Sequence, residues 1–345
     1  FKQKTAYEIR PRDWSSDVCS SDLTHIFSQL ISERDASAAL EAANRINTLK
    51  SKVYEHETVL AIHDKSGAAG NTNPEYQAKI KKLRDGHEAN KLALPDKVKE
   101  YTISAAHKSA DSYLQSLQKQ GIRKEDISEV HHTGSGISKH VGEKVDRSQN
   151  PHDLIVKTKK GQIHGASLKE TSGTLSNNGV GKFAAHGHDT TIGHSTSNIW
   201  DEGKSKAGLK GLTDTQIKEK QKDPKVVQAY RETQHAAASH HTESFNAATH
   251  RDKTKHLEML MKLGYHKKAP YDYVNAEKGS STPIEDLQHA KLLRSAKKLT
   301  ATQSGSLVHI HNEKGNKILT VEHRSTHGPF RHNQVNAKLP SIKND

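Results

Sequence analysis

Two residues of opposite charge, Asp153 and Lys169, stand where a folded chain would bring them together. They lie in the stretch 150–172, which reads NPHDLIVKTKKGQIHGASLKETS. Two short β-rich runs on either side of a loop that contains Gly161 are typical of a hairpin. A carboxylate at the edge of such a hairpin can bind a hard cation. A carboxylate beside an ammonium group can equally be a cross-strand ion pair on a solvated face.

The length of the loop decides whether Asp153 and Lys169 share a face of the hairpin. If residues 159–161 form a three-residue loop with Gly161 in the left-handed conformation, Asp153 lies opposite Ser167. Lys169 is two residues further along that strand and shares the face, because side chains alternate with a period of two. A four-residue loop would place the acid and the lysine on opposite faces.

The stretch resembles the PD-(D/E)XK nuclease superfamily, which has the restriction-endonuclease-like fold, and in particular phage-encoded members with a Pro-x-Asp…Ser-Leu-Lys pattern. Pro151-His152-Asp153 matches the first half of the motif, and Lys169 matches its last position. Ser167 departs from it, because the family usually has Asp or Glu there and a hydroxyl is a weak ligand for a hard cation. Three alternatives remain open: an acid from elsewhere in the chain, coordination through water, or an inactive site.

The resemblance implies a Mg²⁺- or Mn²⁺-dependent endonuclease that hydrolyses DNA, encoded by a phage or another mobile element. In this family Asp153, a further acid and the backbone carbonyl of Leu168 would bind the metal. Lys169 would position the attacking water, and Ser167 would contribute a hydrogen bond. The resemblance also implies a location in the host cytoplasm or on the virion. The rival hypothesis is a non-catalytic nucleic-acid-binding or virion-associated protein on the same scaffold, and Ser167 favours it.

We expect an α/β fold with a restriction-endonuclease-like mixed-sheet core over residues 95–200. In that fold a helix that carries an acid precedes a three-stranded sheet, and the periodic stretch 95–120 is the expected helix. Its acids Glu100 and Asp111 are candidates for the missing metal ligand, as is Glu143 just before the hairpin. Each of these acids can also be an ordinary solvated charge.

The remaining chain is expected to be mainly helical. Residues 1–23 resemble a translated sequencing adapter and are left out of the fold prediction. The other expected segments are an N-terminal helical segment over 24–94, a helical insertion over 201–300, and a C-terminal hairpin with a basic tail over 301–345. Within the insertion, Asp223 as N-cap and Pro224 at the first position predict a helix that continues to residue 264. A further helix is expected over 283–299, with Thr282 as its cap.

The charge of the chain favours a polyanionic partner. Lys and Arg number 53 against 40 Asp and Glu, a formal net charge of +13, and such an excess attracts phosphate backbones. Lys182 in a Gly-rich loop and Arg324 and Arg331 near the C-terminus are candidate phosphate contacts, although these segments can also be a flexible connector and a disordered tail. No run reaches the 18 or more apolar residues of a membrane span, and the single cysteine, Cys19, allows no disulfide within the chain.

The 25 histidines are scattered, and we expect them to be surface residues. Two groups could do chemistry. His186, His188, Asp189 and His194 could bind a transition metal. The order His240, His241, Asn246, His250 resembles the HNH nucleases, but those need a hairpin before the helix, and here all four residues fall in one helical pattern. A basic helix along DNA, or a solvated face, explains that segment more simply.

The net charge leads to a first prediction. Binding of a fluorescently labelled DNA duplex, followed by anisotropy, should weaken at least about tenfold between about 50 and about 200 mM salt, because phosphate contacts release counterions. Equal affinity at both salt concentrations, or no binding at the lower one, would contradict the nucleic-acid hypothesis.

Overall fold

The computed structural model describes residues 33–133, 151–170, 174–179, 192, 195–263, 269–326 and 328–340. These residues form eight α-helices and two five-stranded sheets, so the fold is mixed α/β, as expected. The helices are α1 (Glu33–Lys65), α2 (Pro74–Leu92), α3 (Asp96–Lys119), α4 (Thr196–Lys206), α5 (Asp214–Lys220), α6 (Pro224–Ala247), α7 (His250–Met261) and α8 (Gln288–Ser295). None of these helices is both long and apolar enough to cross a lipid bilayer.

The strands are β1 (Ile127–His132), β2 (Leu154–Thr158), β3 (Ile163–Lys169), β4 (Thr174–Gly179), β5 (Tyr271–Asn275), β6 (Ser280–Pro283), β7 (Leu299–Ser304), β8 (Leu307–Asn312), β9 (Lys317–Ser325) and β10 (Asn333–Lys338). The first sheet has the order β1-β2-β3-β5-β6, and the second has the order β4-β10-β9-β8-β7. All neighbouring strands are antiparallel except β3 and β5, which run parallel.

Helices α1, α2 and α3 share an apolar core with the first sheet. The side chain of Asn73 accepts hydrogen bonds from the first N–H groups of α2, and Pro74 opens that helix, so its start follows from local capping. Gly121, with φ +84°, follows the end of α3. The buried core includes Val59, Ile62, Tyr113, Leu117, Ile127, Val130, Leu154 and Val156. The Tyr113 hydroxyl donates to the carbonyl of Gly165 at 3.0 Å, which ties α3 to β3.

The hairpin of β2 and β3 has the predicted register. Gly161 has φ +78°, in the left-handed region, and residues 159–161 form the loop. Leu154 pairs with Ala166. Asp153 precedes the paired residues, its N–H donates to the carbonyl of Ala166, and its carboxylate lies 3.5 Å from the hydroxyl of Ser167. The three-residue loop is therefore confirmed. Its consequence is that the acid and Lys169 belong to the same face of the sheet.

Helices α4 to α8 pack with the second sheet around a separate apolar core. Its members include Trp200, Phe245, Leu257, Leu260, Leu293, Val308, Ile310, Leu319, Val321 and Phe330. The segment between β3 and β5 contributes β4 and four helices to this part of the molecule before the chain returns to the first sheet. The predicted insertion over 201–300 therefore also contains β5 and β6 of the first sheet, and the C-terminal hairpin is part of a larger sheet.

The single helix predicted over 224–264 is wrong, because two helices occupy that range. Asp223 does cap the first, through a hydrogen bond from the N–H of Lys225 at 2.8 Å. Ala248 is extended, with φ −70° and ψ 158°. The hydroxyl oxygen of Thr249 then accepts the N–H of Asp252 at 3.2 Å and starts α7. A second N-cap therefore overrides a continuous apolar pattern.

The helix predicted over 283–299 is also wrong in its extent. Thr282 does not cap it but pairs with Tyr273, because residues 280–283 form the edge strand β6. The hydroxyl of Ser281 donates to Asp272 at 2.7 Å and holds this strand against β5. The helix begins only at Gln288 and ends at Ser295.

Several histidines are buried, against the expectation of surface positions, and three form a chain inside the second core. His241 of α6 lies between His323 of β9, with a nitrogen–nitrogen distance of 3.1 Å, and His256 of α7, at 3.0 Å. Burial lowers the pKa of His256 and of His323 to about 3, and it lowers the pKa of His241 well below its usual value. Neighbouring imidazoles, His240 among them, lower the pKa of His241 further. At neutral pH the three rings are uncharged and join two helices to the sheet. Of the four residues in the HNH-like order, only His241 belongs to this chain. Asn246 and His250 are exposed, and His250 opens α7, so the four residues do not share one helix.

The three buried histidines make the stability of the protein dependent on pH. In the unfolded chain a histidine has a pKa of about 6.5, so below that pH the unfolded state binds protons that the folded state excludes. The stabilisation is therefore complete above that pH and is lost as pH falls, by up to about 4 kcal/mol per pH unit for three histidines. The melting temperature should drop steeply between about pH 6.5 and about pH 5, above the range in which carboxylates titrate.

The control is His235→Gln, which changes an exposed residue of α6 and should follow the wild-type curve. Replacing His241, His256 and His323 together by Leu removes the whole polar network, and the curve should become flatter. A wild-type melting temperature that stays constant over this pH range would contradict the prediction.

Candidate active site

Asp153 is fixed between the first and third strands. Its N–H donates to the carbonyl of Ala166 at 2.8 Å, and its carbonyl accepts the N–H of Thr133 at 3.0 Å. Its carboxylate oxygen Oδ2 accepts the N–H of Leu168 at 2.6 Å and lies 3.5 Å from the hydroxyl of Ser167. The side chain remains 31% exposed. The backbone thus orients a carboxylate that is still open to a ligand.

The backbone of Leu168 faces the same carboxylate. In a β-strand the N–H and the C=O of one residue point to the same side. Because the N–H of Leu168 binds Asp153, its carbonyl also points toward β2. The predicted carbonyl ligand therefore lies on the side of β3 that the acid occupies.

Lys169 faces Asp153 without a tight contact. Its ammonium nitrogen is 3.9 Å from Oδ2 of Asp153, and its side chain is 21% exposed. This distance is longer than a hydrogen bond between charged groups. The predicted proximity of Asp153 and Lys169 is confirmed, but the two groups do not form a hydrogen-bonded ion pair.

A second acid, Glu55, comes from α1. Its carboxylate is 2.8 Å from Nε2 of His132 at the end of β1. Burial is the main cause that raises the pKa of Asp153, and Lys169 opposes it. The negative charge of Glu55 raises that pKa further. Glu55 is therefore close enough to act on Asp153, 98 positions away in the sequence.

Glu55 was missed because the periodicity of α1 was used only to find its apolar face. The run 53–62 reads VYEHETVLAI, and its two acids stand among residues that are otherwise mostly buried. A carboxylate in such a run needs a partner or a ligand. That contrast is visible in the sequence and could have drawn attention to Glu55 and Glu57. Glu57 pairs with His87 and His107.

The acids predicted on α3 lie elsewhere. Glu100 is exposed. Asp111 is also exposed and pairs with Lys65 at 2.5 Å. Arg324 is in β9 of the second sheet, 3.7 Å from Glu322, and Arg331 lies in the loop between β9 and β10. The predicted residues Glu143, Lys182, His186, His188, Asp189 and His194 lie outside the described residues.

The donor set around Asp153 fits Mg²⁺. Within the described ranges no three His, Cys, Asp or Glu side chains are grouped so that they could hold a metal. Mg²⁺, however, takes one or two carboxylates and completes its shell with water and substrate oxygens. Asp153 and the carbonyl of Leu168 are such donors. Glu55, whose charge acts on Asp153, would be the second carboxylate. The raised pKa of Asp153 indicates a carboxylate whose negative charge is incompletely compensated, and a bound cation would stabilise it.

No protein-family model, curated protein or solved structure matches the chain. The functional argument therefore depends on the geometry of this site.

The coupling between the two acids can be measured directly. Glu55→Gln removes a negative charge near Asp153, so the pKa of Asp153 should fall, because ionisation no longer works against a like charge. Carboxylate ¹³C NMR during a pH titration would detect the change. Glu100→Gln, on the exposed surface of α3, should leave the pKa of Asp153 unaltered. An unchanged Asp153 titration in Glu55→Gln would mean that the two acids do not share a site.

Proposed function

We propose that the chain is a metal-dependent endonuclease that hydrolyses phosphodiester bonds in DNA. The observation that carries the proposal is the approach of the Lys169 ammonium group to within 3.9 Å of Asp153 at the open end of the hairpin. The charge of Glu55 acts on the same carboxylate. The order of elements also supports it, because α3 is followed by the antiparallel strands β1, β2 and β3, as expected for the nuclease fold. The net charge of +13 suits a polyanionic substrate.

Glu55 is the proposed second acid, which the family motif has at the position of Ser167. Ser167 is buried, 3% exposed, and its hydroxyl is directed to Asp153. It therefore supports the first acid and does not replace the second. Among the three alternatives, the site favours an acid from elsewhere in the chain, and that acid is Glu55 on α1.

Each side chain has a role that follows from its contacts. The N–H of Leu168 holds one oxygen of Asp153, and His132 holds Glu55, so both carboxylates are oriented before substrate arrives. The ammonium group of Lys169 lies where it can orient the attacking water and stabilise the charge that develops on the phosphate. When bound, Mg²⁺ lowers the pKa of the water and neutralises phosphate charge.

A second candidate function is a DNA-binding protein that does not cut. Ser167 at the usual acid position favours it, as does the lack of three grouped metal-binding side chains in the described part of the chain. Such a protein would bind duplex DNA at low salt and leave it intact with either Mg²⁺ or Mn²⁺.

Nicking of supercoiled plasmid in Mg²⁺ distinguishes the two functions. Asp153→Asn and Lys169→Ala should each lower the nicking rate by about a hundredfold or more, because each removes a charge that acts on the transition state. Lys160→Ala, which removes an exposed lysine of the hairpin loop, is the matched control and should retain activity. Equal nicking by wild type and Asp153→Asn would place the active site elsewhere, and wild-type binding without cleavage would support the second function.

A rescue variant tests the role of Glu55 in the same assay. Glu55→Gln should lose activity, and Ser167→Asp in that background should restore part of it, because the acid then stands at the usual position. Ser167→Asp alone crowds a third carboxylate beside two others and should lower activity. If Glu55→Gln nicks as well as wild type, another residue is the second acid.

A further inference from the structure

One face of the second sheet is lined mainly by polar side chains. In β8, and in β9 from Leu319 onward, buried residues alternate with more exposed ones, so the two sets lie on opposite faces. His309 pairs with Thr302 and with Thr320, and Thr320 pairs with Lys338, so one polar row crosses four strands. Nδ1 of His309 is 3.2 Å from the hydroxyl of Thr320. This surface, the polar face, comprises His309, His311, Thr320, Glu322, Arg324 and Lys338.

On the polar face two cations share one carboxylate. Oε2 of Glu322 is 2.7 Å from the ammonium nitrogen of Lys338 and 3.7 Å from a guanidinium nitrogen of Arg324. The side chains of Lys338 and Arg324 remain 39% and 40% exposed. Lys317, which pairs with His311, adds a third cation beside them. With Glu322 counted as an anion, the described side chains of this surface carry a net positive charge, which attracts a polyanion.

Two imidazole rings stand side by side on the polar face. His309 and His311 are two residues apart on β8, and their ring centroids are 6.5 Å apart. Both residues are only partly buried. Burial and the charge of Lys317 lower the pKa of both histidines, so the rings are uncharged at neutral pH. Uncharged aromatic rings beside cations are the combination on which the bases of a single-stranded nucleic acid stack while its phosphates are bound.

We propose that the polar face binds single-stranded DNA, with Arg324 and Lys338 contacting phosphates and His309 and His311 stacking on bases. The inference rests on the proposed function for the choice of DNA and adds a second contact surface to it. The width of the sheet favours a single strand over a duplex. The major groove of a duplex admits an α-helix or a two-stranded ribbon, whereas this face belongs to a five-stranded sheet. A single strand exposes its bases and can lie across several strands.

Anisotropy of a labelled oligothymidine strand, measured in EDTA to prevent cleavage, tests the phosphate contacts. Arg324→Gln combined with Lys338→Gln should weaken binding by about tenfold or more. The slope of log affinity against log salt should become shallower by about 1.4, because each lost phosphate contact removes about 0.7 for a single strand. The control combines Lys225→Gln with Arg231→Gln, two exposed cations of α6, and should change affinity by less than about threefold. Equal losses in the two pairs would overturn the proposal.

Glu322→Gln tests the same surface with the opposite sign. Its carboxylate competes with phosphate for both cations, so its loss should tighten binding of the single strand by about threefold or more. Such a gain cannot come from damage to the fold. His309→Ala with His311→Ala should weaken binding by about fivefold or more, and Phe at both positions, which keeps two rings, should stay within about threefold of wild type. Weaker binding by Glu322→Gln, or unchanged binding by the alanine pair, would overturn the proposed contacts.

The two proposals can fail separately. Absence of plasmid nicking, with single-strand affinity that depends on Arg324 and Lys338, would remove the nuclease and keep the DNA-binding surface. Nicking by wild type, with equal single-strand affinity in the polar-face and control variants, would keep the nuclease and remove the surface. A duplex that binds more tightly than the single strand, and depends on the same two cations, would overturn the assignment of a single strand.

Discussion

The closure of the hairpin at Gly161 is the constraint on which the candidate site depends. The positive φ of this glycine allows a three-residue loop, and the loop sets the pairing of β2 with β3. A shift of one residue would turn every side chain of one strand to the other face. Asp153 would then lose the N–H of Leu168 and no longer face Lys169. The relative positions of Asp153 and Lys169 therefore depend on the turn at Gly161.

The two sheets are interleaved along the chain. The chain leaves the first sheet after β3, builds much of the second core, and returns as β5 parallel to β3. On that return it passes through Lys262, whose charge reaches Lys169 and Asp153. Burial of this charge opposes folding, whereas the apolar contacts around Tyr271 favour it.

Local signals explain several boundaries in the first half of the chain. Asn73 and Pro74 start α2, and Gly161 closes the hairpin, because caps and turns act over a few residues. Thr249 is also an N-cap signal. The prediction followed the apolar periodicity on both sides of it instead, so one helix was expected where there are two. Where local signals agree, boundaries can be predicted, and where they compete, packing decides.

The sequence by itself determined the β2–β3 hairpin, because alternation and turn chemistry are local properties. It limited the register to two alternatives, of which the three-residue loop brings Asp153 and Lys169 to one face. Only the tertiary structure decided which other charges act on them. Glu55 does so through the packing of α1 on the first sheet, a contact that no periodicity encodes. Burial likewise became visible only in the fold: His241, expected on a surface, lies in the second core. Burial and long-range charge depend on which faces meet, and that is a property of the whole chain.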